Sequence, residues 1–249
     1  KGEVGITLIA TNRINDQAVA EAVLARGDGD MVSMARPFLA DAEFVNKAAA
    51  GRADEINTCI ACNQACLDHV FEQKIASCLV NPFACRETVW RLVPAASPRK
   101  VAVVGAGPAG LACATTAAER GHDVTLFDAA AEVGGQFNLA RRIPGKEEFA
   151  ETLRYFRRRI ERTGVKLALS RRVRAEDLAG FDAVLLATGI VPRLPAIPGI
   201  EHPKVASYID IVEGRREAGA RVAIVGAGGI GFDVAELLLD AGGDDPAAF

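Results

Sequence analysis

The sequence predicts an α/β protein assembled from parallel β–α units, and three observations predict it. Two glycine loops of the form G-x-G-x-x-G stand about 120 residues apart, each between a β-type run and a small-residue helix: Gly105, Gly107 and Gly110, then Gly226, Gly228 and Gly231. The first 51 residues alternate short apolar runs with helix-like stretches. Between them lies Cys59–Cys85, dense in cysteine and asparagine and without clean periodicity.

The opening stretch reads β-α-β-α. Ile6–Ala10 is a short apolar run of buried-strand type. Thr11-Asn12-Arg13 is a polar loop, and Asp16 caps a helix over Gln17–Arg26 that stops before Gly27. Met31–Met34 is a second strand; Arg36-Pro37 breaks it, and a helix follows from Asp41 to about Ala50. Two strands complete no sheet of their own. The Cys-rich segment holds one short helix near Leu67–Lys74, and Pro94–Pro98 reads as a linker.

A third segment opens at Lys100. Val101–Val104 is a strand, the first glycine loop follows, and a helix runs to Arg120. Val124–Phe127, Val165–Leu169 and Ala183–Ala187 are further strands. Glu147–Arg162 is an amphipathic helix with Phe149, Leu153, Phe156 and Ile160 on one face. After the Pro-rich crossing Pro192–Pro198, strand Val222–Val225 leads into the second glycine loop and a helix over Phe232–Leu239.

Composition narrows the function. A chain of 249 residues gives one or two domains at about 150 residues each. Half the residues are hydrophobic and 24% charged, which excludes disorder. With 29 Lys+Arg against 32 Asp+Glu the net charge is −3, which argues against a nucleic-acid partner held by a basic field. No run of ~18 uninterrupted apolar residues exists, so no membrane partner is expected. No leader or lipidation motif stands out, and position 1 is not Met, so a portion of a larger protein is expected. Reduced thiols beside dinucleotide-type folds point to the cytoplasm.

The glycine loops carry the clearest chemistry. Glycine permits the tight turn, the approach of backbone to a pyrophosphate, and close packing of helix on strand. The helix N-terminus adds free N–H groups and a partial positive charge. Asp128 ends the strand after the first loop, where a ribose-binding acid belongs. Gly134-Gly135-Gln136, in a loop that can lie close to a flavin, and Ala187-Thr188-Gly189 resemble the two-dinucleotide-binding flavoproteins, and that resemblance favours FAD in this first site. The second loop suits a nicotinamide dinucleotide. Its ribose-reading acid or phosphate-reading Arg belongs ~20 residues further on, so the sequence does not separate NADH from NADPH.

Cys59, Cys62, Cys66 and Cys78 form C-x2-C-x3-C-x11-C. Three clustered thiolates and one distant one suit a [4Fe–4S] cluster; zinc and structural thiols are the competing readings. Cys85 falls outside this set, and Cys113 is a packing residue in a small-residue helix. Arg13 and Arg36 each follow a strand. Backbone N–H groups near Ala35–Arg36, with Arg13 beside them, suit a flavin phosphate if these are the last strands of a barrel; two surface arginines are the other reading. His69, His122 and His202 have no visible partner for acid–base work. Arg157-Arg158-Arg159 reads as a solvated helix face.

From these motifs the chain resembles a known family. CIACNQACLDHVFEQKIASCLVNPFACRET, with TNRIND, DMVSMARPFLAD, GRADEINTC, VTLFDAAAEVGGQFNLARRIPGKEEFAETLRYFRR, GIVPR and VAIVGAGGIGFD, resembles the bacterial NADPH-dependent 2,4-dienoyl-CoA reductases. These are iron–sulfur flavoproteins of the old yellow enzyme and trimethylamine dehydrogenase-like group. The x3 gap between Cys62 and Cys66 looks more like the dienoyl reductase branch than the amine dehydrogenases.

The resemblance implies an architecture. Residues 1–58 would be the C-terminal end of an FMN-binding TIM barrel, 59–95 the iron–sulfur segment, 96–191 part of a Rossmann-like FAD-binding domain, and 192–249 the start of an NAD(P)H-binding domain. It assigns Arg13, Ala35, Arg36 and Pro37 to the FMN phosphate, and Cys59, Cys62, Cys66 and Cys78 to the cluster. It assigns Ala109, Asp128, Gln136 and Val173 to FAD, beside Gly105, Gly107, Gly110 and Gly135 of its loops; Gly226, Gly228 and Gly231 open the NADPH site.

It also implies the reaction. NADPH would give a hydride to FAD, the cluster would pass single electrons to FMN, and FMN would reduce a conjugated acyl-CoA in unsaturated fatty acid β-oxidation. The family's Tyr and His acid–base pair lies on earlier barrel strands, so no catalytic residue is assigned here. This chain by itself is expected to be inactive and poorly soluble. Another enoate reductase or amine dehydrogenase of the same architecture, or an Fe–S/FAD electron-transfer module, are the alternatives. A small-molecule substrate is the only partner expected, with the oligomeric state open.

Overall fold

A computed structural model describes residues 1–240. Its contacts divide the chain into two compact units: Lys1–Ala96 with Glu151–Gly164, and Ser97–Ala150 with the chain from Val165 on.

The first unit begins with β1 (Ile9–Thr11), α1 (Gln17–Ala25) and β2 (Met31–Ser33). The strands pair in parallel, Ile9 opposite Met31 and Thr11 opposite Ser33. Asp16 caps α1 as expected, its carboxylate accepting from the N–H groups of Ala18 and Val19. Beyond β2 the sequence reading needs correction. Arg36-Pro37 does not merely end the strand; it starts α2 (Arg36–Ala40), and α3 (Phe44–Ala49) follows as a separate helix. Proline costs nothing in the first helical turn, where its missing N–H has no intrahelical partner to lose.

Residues 59–85 contain one short helix, α4 (Leu67–Phe71). The backbone around it is therefore held by other parts of the unit. Asp41, 6% exposed, takes the ammonium of Lys47 at 2.5 Å and the Asn57 N–H at 2.8 Å. The buried Asn57 side chain donates to the carbonyls of Ala40 (3.3 Å) and Val80 (2.8 Å). Helix α7 (Phe149–Thr163) buries Leu153, Phe156 and Ile160. From 151 on it belongs to this unit by its contacts, although the chain on either side belongs to the second.

Arginines four apart on one face of α7 clamp the chain that leads to the cysteines. Arg154 donates to the carbonyls of Asp54 and Ile56 and to the Thr58 hydroxyl. Arg158 pairs with Asp54 at 2.7 Å, and Arg162 with the buried Glu55 at 2.9 Å. The expected solvated face at Arg157–Arg159 thus includes a structural ion pair.

The second unit is a parallel sheet in the order β5-β4-β3-β6. Its strands are β3 (Lys100–Val104), β4 (Asp123–Phe127), β5 (Lys166–Ala168) and β6 (Ala183–Leu186). In chain order this is 3-2-1-4, the start of a dinucleotide-binding sheet. Helix α5 (Pro108–Glu119) packs against β3 and β4. Val103, Leu111, Ala114, Thr115, Val124 and Leu126 are all but inaccessible. Helices α6 (Phe137–Ala140), α8 (Tyr208–Val212) and α9 (Gly229–Leu239) contribute a small core around Ile143, Val212 and Val234.

The strand expected at Val222–Val225 does not form. Its residues are exposed, and no strand among the described residues stands beside it to complete a ladder. The last nine residues of the segment assigned to NAD(P)H, 241–249, lie outside the described residues. No helix among the described residues is long and apolar enough to cross a membrane.

Replacing Asp41 with Ala removes the acceptor of the Asn57 N–H and the counter-charge of the half-buried Lys47, which keeps only the Glu55 carbonyl. The expected loss is ~3 kcal/mol of stability, read by urea unfolding of the full-length protein. A loss under ~0.5 kcal/mol would show that the Asp41 network does not hold this unit together.

Candidate cysteine centre and dinucleotide loops

Cys59, Cys62, Cys66 and Cys78 line one small hollow that opens to solvent. Arg36, Leu39, Ile60, Asn63, Ala65, Leu79 and Val80 complete its wall. All four cysteines are half-buried and unlinked by disulfides. Cys85 is exposed and outside the hollow, and Cys113 sits half-buried on α5, where burial pushes its thiol up. His69 lies on α4 with Nδ1 3.1 Å from the Ile75 carbonyl, away from this wall.

The local backbone explains the arrangement. Ala61 and Asn63 flank Cys62 with φ of 53° and 59°. Left-handed residues alternating with ordinary ones turn successive N–H groups to one side. The Ala61 N–H lies 3.4 Å from Cys59 Sγ. The Val80 and Asn81 N–H groups reach Cys78. Asn15 fixes the Cys59 carbonyl at 3.0 Å, and Ser77 N–H to Ala65 carbonyl, 2.7 Å, brings the segment carrying the distant Cys78 beside Cys66.

Burial pushes the Cys59 and Cys78 thiols above the ordinary cysteine value. The Ala61 N–H and then the Arg36 charge pull Cys59 back, while neighbouring thiols push it up. Backbone N–H groups pull Cys78 back. Four thiolates on one hollow need a bound cation to coexist. The all-sulfur donor set suits a soft metal or an iron–sulfur cluster. Among the described residues no three His, Cys, Asp or Glu side chains close on a point that would hold one metal ion. Zinc would draw its sulfurs to within ~2.3 Å of one centre; a cluster spaces them around its own bulk.

The residues assigned to FMN phosphate differ in exposure. Pro37 is buried in α2, Ala35 precedes that helix, and Arg13 is exposed with φ of 55°. Arg36 turns to the cysteine segment instead of solvent: its guanidinium donates to Asn63 Oδ1 at 2.7 Å and to Asn12 Oδ1 at 3.4 Å.

In the second unit the first glycine loop stands at the carboxyl ends of β3 and β6, where the strand order reverses and ligands of such sheets bind. Its glycines are of two kinds. A Cβ on Gly105 would lie 2.2 Å from the Ala187 carbonyl oxygen, and one on Gly110 would lie 1.7 Å from that of Gly105. A Cβ on Gly107 would meet nothing within 4 Å. So Gly105 and Gly110 are glycine for packing, while Gly107 keeps its outer side clear. Gly135, φ 53°, sits against Gly107, and the Gly134 N–H bonds to the Ala106 carbonyl at 2.8 Å.

Asp128 accepts from Ala106 N–H at 2.6 Å and Ala130 N–H at 2.8 Å. Each carboxylate oxygen keeps a further lone pair for a hydroxyl. Gln136 is exposed and donates to the Ile190 carbonyl at 3.3 Å; Ala109 is exposed on the first turn of α5, and Val173 is half-buried after β5. The second loop repeats the steric device: a Cβ on Gly231 would lie 2.3 Å from the Gly226 carbonyl oxygen, and around Gly228 the space is open. Sequence reasoning missed Asn57, Arg154 and the Arg36–Asn63 contact. No local pattern marks them, because the contacts that matter here span 16 positions or more.

Two known families match the chain. Residues 1–55 match the NADH:flavin oxidoreductase / NADH oxidase family, and residues 99–245 match pyridine nucleotide-disulphide oxidoreductase. A metal reductase of Desulforamulus reducens is 42% identical over 97% of this chain and 37% of its own length. A cinnamate reductase of Clostridium sporogenes is 32% identical over 97% of this chain and 36% of its own. A solved 2-naphthoyl-CoA reductase complex is similar with a TM-score of 0.90 and 37% identity, over 95% of this chain and 36% of that one. The chain thus spans little more than a third of the relatives it matches. Its two glycine loops and parallel sheet, under a match that covers most of its length, make it a member of the pyridine nucleotide-disulphide oxidoreductase family, preceded by a segment of NADH:flavin oxidoreductase type.

Proposed function

We propose that this chain is the electron-entry portion of an NADPH-dependent 2,4-dienoyl-CoA reductase. The observation that carries the reading is the four cysteines on one hollow, in a chain matched before them by a flavin oxidoreductase family and after them by a pyridine-nucleotide one. The resemblance of the cysteine segment and the similarity to a 2-naphthoyl-CoA reductase favour a conjugated acyl-CoA as substrate.

Bound FAD, a [4Fe–4S] cluster and FMN would together turn the hydride of NADPH into single electrons and back into a hydride for the substrate. The chain's own residues have narrower tasks. Gly107 admits the FAD pyrophosphate to the backbone, Gly105 and Gly110 let the loop close behind it, and Asp128 offers its free lone pairs to the ribose. Gly226, Gly228 and Gly231 do the same for NADPH. Cys59, Cys62, Cys66 and Cys78 hold the cluster, with backbone N–H groups directed at two of the sulfurs. Arg13 and the Ala35–Pro37 turn are left to the FMN phosphate.

In the full-length protein, NADPH should be consumed one-for-one with 2,4-dienoyl-CoA. Cys62→Ser should lose iron and let turnover fall to background while NADPH still bleaches the FAD. Flavin bleaching with no loss of dienoyl-CoA would reject the substrate, and turnover of trimethylamine in its place would move the protein to the amine dehydrogenases.

The two kinds of glycine give a second test. Gly107→Ala should match the FAD-free protein in thermal stability yet bind little FAD, since the added methyl fills the pyrophosphate approach. Gly110→Ala should yield little folded protein. Full FAD content in Gly107→Ala would remove this loop from the FAD site.

A further inference from the structure

Among the described residues, Arg36 is the one cationic side chain on the wall of the cysteine hollow. It comes from the first turn of α2, outside the cysteine segment. Two asparagines hold it, Asn63 at 2.7 Å and Asn12 at 3.4 Å. Both asparagines stand at left-handed positions, φ 59° and 74°, which asparagine tolerates better than most residues. Asn63 adjoins Cys62, so the guanidinium is tied to the very loop that presents the thiols. Neither oxygen is a carboxylate, so the clamp fixes the position of the charge without neutralising it. A guanidinium stays protonated at any working pH.

We propose that Arg36 is a positioning residue that raises the reduction potential of the group held by Cys59, Cys62, Cys66 and Cys78. The inference rests on the cluster reading above. Reduction adds an electron to an already anionic centre, and a fixed positive charge beside it stabilises the reduced form more than the oxidised one. The half-buried wall weakens solvent screening of that interaction. The same side chain belongs to the turn assigned to FMN phosphate, so its charge would be shared between the two carriers.

The test is an anaerobic redox titration of the full-length protein followed by electron paramagnetic resonance, with iron, labile sulfide and FMN assayed in parallel. Arg36→Gln should lower the cluster midpoint potential with iron and sulfide unchanged. Arg36→Lys, which keeps the charge but not the fork, and Asn63→Leu, which frees the guanidinium, should each lower it less. An unchanged potential in a fully loaded Arg36→Gln overturns the proposal, as does loss of FMN alone, which would leave Arg36 a phosphate ligand only. If Arg36→Gln sheds its iron, unchanged potentials in both other variants overturn it instead. Zinc in place of a reducible cluster in the unsubstituted protein would reject the underlying reading, an outcome distinct from all of these.

Discussion

Cys59 enters its hollow from a stretch that has almost no regular structure, and everything proposed for the centre depends on how that stretch is held. The polypeptide from 52 to 58 is fixed from two sides. On one, Asp41 and Asn57 bind it to the end of α2 and to Val80. On the other, Arg154 takes the carbonyls of Asp54 and Ile56, and Arg162 takes Glu55. Hydrogen bonds from charged donors are worth more than neutral ones, and here they replace the ladder that a strand or helix would have supplied. The hollow is thus built by long-range polar contacts, not by secondary structure.

The dinucleotide loops solve a different problem by a different means. There the backbone is pre-shaped by sterics: the third glycine of each loop sits where any side chain would strike the carbonyl of the first. That contact draws helix onto strand and leaves the middle glycine facing open space. The recurrence of one steric pattern at Gly105–Gly110 and Gly226–Gly231, though only the first follows a formed strand, shows that the loop shape is set locally. Asp128 serves that shape as well, since its carboxylate accepts the Ala106 N–H inside the first loop.

The same distinction separates what was legible in the sequence from what was not. Glycine spacing, the Asp16 cap, the β3–β6 strands and the buried face of α7 follow from local rules, and each appears within a few residues of its expected place. The cysteine set was legible by spacing, and the structure gathers all four on one wall. Pro37 was misread because proline stops a strand and starts a helix with equal ease. Val222–Val225 was misread because a strand is a property of a pair, and hydrophobicity alone supplies no neighbour. Asn57, Arg154 and the Arg36–Asn63 contact carry no local pattern, since their meaning lies in partners 16 to 100 positions away.

The central claim is that the four cysteines hold iron and sulfide, not a single zinc ion. X-ray absorption of the purified full-length protein at the iron and zinc edges tests it directly. The account predicts an iron signal with sulfur as nearest neighbours and a second shell of iron. A zinc signal with sulfur at ~2.3 Å and no metal beyond it would contradict the account.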